Sequence, residues 1–129
     1  MVSGFRPRAV EWIGSSLKDI RALPVDVRRE FGQALFEAEL GGKHPAAKPL
    51  KGDAFKGAGE LEIVSNVDGD TFRAAYTIRF AEVVYVLHVF QKKATRGRQT
   101  AKADIDLIKG RLALAKAHHE ANYVTRDTG

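Results

Sequence analysis

Three neighbouring stretches hold the side chains that could do chemistry. In TFRAAYTIRF, Phe72, Ala74, Tyr76, Ile78 and Phe80 fall on one side of an alternating pattern, with Arg73, Thr77 and Arg79 opposite. Before it, ELEIVSNV sets Glu60, Glu62 and Asn66 against Leu61, Ile63 and Val67. After it, VVYVLHVFQKK carries His88 and Phe90 in one set with Val84 and Val86, and Tyr85, Leu87 and Val89 in the other. A sheet face that mixes carboxylates, guanidiniums, an imidazole and an aromatic ring suits acid–base and electrostatic work on a phosphodiester. Lys92, Lys93, Arg96, Arg98 and Lys102 follow in QKKATRGRQTAK, which has no acid, and KHPAAKPLKGDAFK adds Lys43, Lys48, Lys51 and Lys56 against Asp53 alone. Two such loops at the strand ends could hold the phosphates of a polyanion whose bases stack on Phe90 or a guanidinium. The plainer alternatives are two solvated loops, a structural histidine, and an Arg73 that only pairs with Glu62 across strands.

Other chemistries find little support. His118 and His119 are adjacent and share no helix face, while His44 and His88 lack a neighbouring ligand at metal spacing. No aspartate cluster suggests two-metal hydrolysis, and GDAFKGAGE lacks the Lys-Ser/Thr ending of a phosphate loop. The absence of Cys removes thiolate metal sites, disulfides and cysteine nucleophiles. The expectation is no metal and no cofactor.

The 129 residues suit a single domain spanning 1–129, with 44% hydrophobic and 29% charged residues to build a core under a polar surface. Net charge is +5 with a pI near 9.6, so polyanions are the first partners to test. No stretch approaches the roughly 18 apolar residues of a membrane span, and MVSGFRPRAVEW lacks an export signal's pattern. A cytoplasmic protein without a membrane partner is expected.

The elements that must position these side chains follow from pattern. RAVEWI (8–13) alternates as a short strand. Ser16 and Asp19 form a capping-box variant for a helix over Leu17–Leu23. Pro24 opens, and Gly41-Gly42 closes, an amphipathic helix with Val27, Phe31, Ala34, Leu35 and Ala38 on one face. Residues 43–57 read as a long connection, and Asp68-Gly69 as a hairpin turn within a three-strand meander. Thr100 caps a last helix bearing Ile105, Ile108 and Leu112, with Leu107 and Leu114 widening the stripe, and the tail frays from about His118. The fold predicted is α+β: an antiparallel meander with a helical hairpin and a C-terminal helix packed on one face, Leu87 and Val89 turned toward the helices.

In this order and spacing, VEWIGSSLKDIRALP (10–24), AKPLKG (47–52), ELEI (60–63), GDTFRAAYTIRF (69–80), YVLHVFQKKATRG (85–97) and TAKADIDLIKGRL (100–112) resemble the RelE/ParE toxin superfamily, in particular its phage-derived, HigB-like branch. The resemblance covers roughly residues 8 to 117. It implies a small RelE-like domain and a toxin of a type II toxin–antitoxin module. Such a toxin is a ribosome-dependent mRNA endonuclease, working by 2′-OH attack on the neighbouring phosphate. The implied partners are the ribosome and mRNA, and a helix-turn-helix, HigA-like antitoxin through which alone operator DNA is met.

Carried onto this chain, the resemblance places Arg73 at the scissile phosphate, Lys92 and Lys93 as the basic pair after the last strand, and Lys48 and Lys51 in the segment before the meander. With Arg79, Arg96, Arg98 and Phe90 these make up the expected RNA-binding set. His88 and Glu62 are the candidate acid–base groups, with Lys92 as acid or phosphate clamp. Nearer relatives of RelE carry lysines where this chain has Glu60 and Glu62, and a Tyr after the basic loop where it has RGRQTAKAD. The general base and the stacking group therefore stay open. The alternatives are a non-catalytic binding relative and a ParE-like inhibitor of DNA gyrase.

Overall fold

The computed structural model describes residues 6–92 and 101–124. The elements run β1 (Ala9–Trp12), α1 (Ser16–Arg21), α2 (Val25–Glu39), β2 (Lys48–Pro49), a 3-10 turn (Asp53–Phe55), β3 (Glu60–Val67), β4 (Asp70–Thr77), β5 (Val83–Lys92) and α3 (Lys102–Asn122). The small α+β architecture, its helical pair, meander and closing helix are those expected. The sheet has the order β1-β5-β4-β3-β2, with β1 parallel to β5 and every other pair antiparallel. The β3–β4 hairpin closes on Asp68 (φ 50°) and Gly69 (φ 85°), two left-handed residues in the primed turn whose twist matches the strands. α2 ends at the glycine pair, where the Gly41 and Gly42 amides donate back to the carbonyls of Ala38 and Glu37.

Both faces of the sheet are covered. On one, Ile20 of α1 and Val27, Phe31 and Leu35 of α2 are buried with Leu61, Ile63, Ala74, Tyr76, Val84, Val86 and Val89. Tyr76 is the core tyrosine that strand parity predicts, and burial pushes its phenol up to about 12. On the other, Ile108, Leu112 and Ala115 of α3 pack with Val83, Tyr85 and Leu87, and Leu50 and Phe55 fold in from the connection before β3. The last helix thus lies on the face opposite the helical pair. The expectation of all helices on one face fails because β5 is apolar on both sides, which is what a strand covered on both faces requires.

A β-bulge explains the side chains on β5. Ala75 pairs with His88 but the next residue, Tyr76, pairs with Val86, so Leu87 is the extra residue. Leu87 therefore joins Tyr85 under α3 rather than Val89, and His88 follows it onto that same face. Smaller corrections come from the helix ends. Ser15, not Ser16, precedes α1; its hydroxyl donates to Asp19 at 2.7 Å, while Ser16 is buried with its hydroxyl on the Val86 carbonyl. Pro24 caps α2 from outside, and Ala101 holds that place for α3, Thr100 lying outside the described residues. Leu107 and Leu114 face outward, 39% and 59% exposed. Beyond His118 the helix continues to Asn122, with His118 Nδ1 2.7 Å from Tyr85 Oη and His119 Nε2 2.7 Å from a Glu82 carboxylate oxygen. None of the helices described is long and apolar enough to cross a membrane.

Candidate active site

Strand register lines up the side chains that lie on the α3 face. One row crosses the sheet as Lys48, Glu62, Ala75 and His88; the next holds Val64, Arg73 and Phe90; the third holds Asn66, Thr71 and Lys92. Neighbouring strands stand about 4.8 Å apart, so Glu62 and His88 are about 10 Å from each other across Ala75. α3 and the Leu50–Phe55 plug pack on this face; within the three rows Ala75, Arg73 and His88 are buried, Glu62, Phe90 and Lys92 half-buried, and Lys48 and Asn66 exposed. The structure thus brings Glu62, Arg73, His88, Phe90 and Lys92 together, with Lys48 at the exposed edge beside Glu62 and Lys51 exposed just beyond β2.

Arg73 and Glu62 make the cross-strand pair that sequence reading held as the alternative role for Arg73. Nη1 donates to Glu62 Oε1 at 3.0 Å on the diagonal between rows, and Arg73 is only 7% exposed. The contact fixes the plane of the guanidinium.

His88 is equally enclosed. Its ring stacks on Phe90 with centroids 4.2 Å apart and planes 12° from parallel, and its Nε2 is 2.9 Å from Asp104 Oδ1 in the first turn of α3. Burial lowers the imidazole's pKa below the ordinary histidine range, ahead of the opposing hydrogen bond and charge of Asp104; Arg111 lowers it further and Asp19 raises it. The neutral ring donates a hydrogen bond from Nε2–H to the Asp104 carboxylate, which leaves Nδ1 as the lone-pair nitrogen. That nitrogen is buried and meets no hydrogen-bond partner among the described residues.

Two residues of this neighbourhood escaped sequence reading. Asp104 lies sixteen positions from His88 in another element, and on its own it reads as a carboxylate suited to a helix N-terminus. Arg111 donates from Nη1 to the Leu87 carbonyl at 3.0 Å and from Nη2 to Ser15 Oγ at 3.2 Å. Position 14 favours glycine, since φ is +58° and a Cβ there would stand 2.7 Å from Arg111 Nε, so that the guanidinium would have to shift. No spacing signal announces these contacts.

Arg79 lies apart from the three rows. Its Nε and Nη2 grip the two oxygens of Glu60 at 2.8 and 2.7 Å, and the wholly buried Glu60 carboxylate also accepts from Thr77 Oγ1 at 2.7 Å. A fork closed on a buried carboxylate is a structural clamp, the contact the structure gives Arg79. Lys93, Arg96 and Arg98 lie outside the described residues, in the segment joining Lys92 to Ala101. Among the described residues no three His, Asp or Glu side chains gather as a metal site.

A family model described as phage-derived Gp49-like protein (DUF891) matches residues 18–113. That span runs from α1 into α3 and includes every residue of the three rows. No curated protein and no solved structure matches the chain.

Proposed function

The chain belongs to the Gp49-like family of phage-derived proteins, a family of the RelE/ParE toxin type, and from that membership and the sheet face we propose that it is the toxin of a toxin–antitoxin pair and a ribosome-dependent mRNA endonuclease. One observation carries the reading: an imidazole oriented by Asp104 and a guanidinium held by Glu62 occupy adjacent rows of one face, on the strand pair that leads in sequence into a basic segment. His88 Nδ1 takes the proton of a ribose 2′-OH, and O2′ attacks the adjacent phosphorus. Arg73 holds the non-bridging oxygens as negative charge builds on them, and Glu62 keeps the guanidinium aimed. The O5′ bond breaks and O5′ takes a proton from Lys92, leaving a 2′,3′-cyclic phosphate and a 5′-OH. Asp104 supports the imidazolium formed, as a carboxylate does in hydrolase triads. Because Nδ1 is buried in the free chain, the side chains that cover it must give way as RNA seats. Lys48, Lys51, Lys93, Arg96 and Arg98 contribute phosphate contacts.

The partner that restrains such a toxin is a helix-turn-helix antitoxin of the HigA kind, and DNA is met only through it. Inducing the chain alone in growing cells and mapping transcript 5′ ends tests the reading. New ends inside translated messages are expected. Growth arrest with intact messages and blocked gyrase would overturn it in favour of the ParE-like activity, and unimpaired growth would leave a non-catalytic relative.

A further inference from the structure

The bulge that turns His88 onto the α3 face is held from outside the meander. The Val86 carbonyl accepts the Ile13 amide at 3.0 Å and the buried Ser16 hydroxyl at 3.2 Å. The next carbonyl, that of Leu87, accepts Arg111 Nη1 at 3.0 Å. Arg111 also reaches Ser15 Oγ, whose proton goes to Asp19, so one guanidinium ties α3 to the loop between β1 and α1 across the extra residue of β5. Gly14 leaves the space this guanidinium fills. A buried bulge carbonyl that loses such a donor loses its hydrogen bond, and the backbone that leads into the next residue is less constrained.

We propose that Arg111 is a positioning residue for His88: by holding the Leu87 carbonyl it fixes the bulge and so the aim of the imidazole between Phe90 and Asp104. The proposal rests on His88 acting as the base, and its test separates the two ideas. Asp104, Arg111 and Asp19 are the charged groups that face the ring, and the positive charge of Arg111 also favours the neutral form.

The experiment is nitrogen NMR of the His88 ring in the full chain, with Arg111→Met and Arg111→Lys beside wild type, and cleavage of mRNA on translating ribosomes measured on the same preparations. In wild type the ring should show a bare Nδ1 and a protonated Nε2. Arg111→Met should blur this into a mixture of tautomers and lower kcat about 10–100-fold with KM little changed, the usual scale for a misplaced reacting group. Arg111→Lys, which keeps the charge and the stem but not the fork, should fall between them and remains the test if Arg111→Met does not fold. An unchanged His88 signature in either folded variant would overturn the proposal, whatever happens to the rate. A disturbed signature in a chain that cuts no RNA would sustain the positioning role and remove the endonuclease reading instead.

Discussion

In the proposed mechanism Arg73 holds the phosphate and His88 is the base, and each role can be tested without the other. Arg73→Ala removes the fork that holds the phosphate and leaves Glu62, itself only part-exposed, without that contact. Cleavage per folded molecule should drop roughly 10²–10³-fold, the scale of a lost oxyanion donor, and the melting temperature should fall with it. Arg73→Lys should recover part of the rate, since an ammonium supplies charge without the planar pair of donors. Full activity in folded Arg73→Ala would make the residue merely the partner of Glu62. Glu62→Gln discriminates further: a loss of a few fold fits a carboxylate that only aims Arg73, whereas a loss of about 10²–10⁴-fold marks it as the general base. The pH profile reads His88. The base works when neutral, so the rate falls as pH drops through its pKa; burial lowers that pKa, which puts the acid limb below the ordinary value of about 6.5. Asp104→Asn withdraws a charge that raises the pKa, so the limb should move to still lower pH while the plateau rate declines. A limb above pH 7 or one unmoved by Asp104→Asn would contradict the assignment.

At the scale of elements, the connection before β3 does more than join two parts. Phe55 is buried with Leu50 against the α3 face, so Phe55→Ala should destabilise the fold by about 3–5 kcal/mol, measured by chemical unfolding. Loss of under about 1 kcal/mol would show that the plug is loosely packed. The same segment shows where sequence reading reaches its limit. The alternation of β3 and β4 and the Asp68-Gly69 turn are written locally, so the strands and the face bearing Glu62 and Arg73 are legible. A two-residue strand beside a proline leaves no period to find, and Lys48–Pro49 reads as loop. The bulge at Leu87 is hidden for a different reason. In VVYVLHVF both alternating sets are apolar, because both faces are covered, so a one-residue shift leaves no mark on the pattern. The pattern places His88, Val89 and Phe90 on the faces they occupy, but before the bulge the two sets are exchanged: Tyr85 and Leu87 pack under α3, and Val84 and Val86 under the helical pair. The His88–Asp104 contact joins two elements across the tertiary structure, and no local rule could pair them.

The molecule as a whole is basic, with +5 overall and a cationic run between β5 and α3. Reversing charge at Lys92, Lys93, Arg96 and Arg98 should weaken binding to ribosomes and flatten its salt dependence, because each phosphate contact contributes about one unit to the slope. An unchanged slope would reduce the run to a solubilising surface. The reaction proposed for this face is reported most directly by the ends of the RNA fragments. The measurement is end-group analysis of mRNA cut on translating ribosomes by the purified chain, with and without a chelator. The account predicts 2′,3′-cyclic phosphate and 5′-OH ends in both, and their loss with His88→Ala. Uncut mRNA, or fragments ending in 3′-OH and 5′-phosphate, would contradict it.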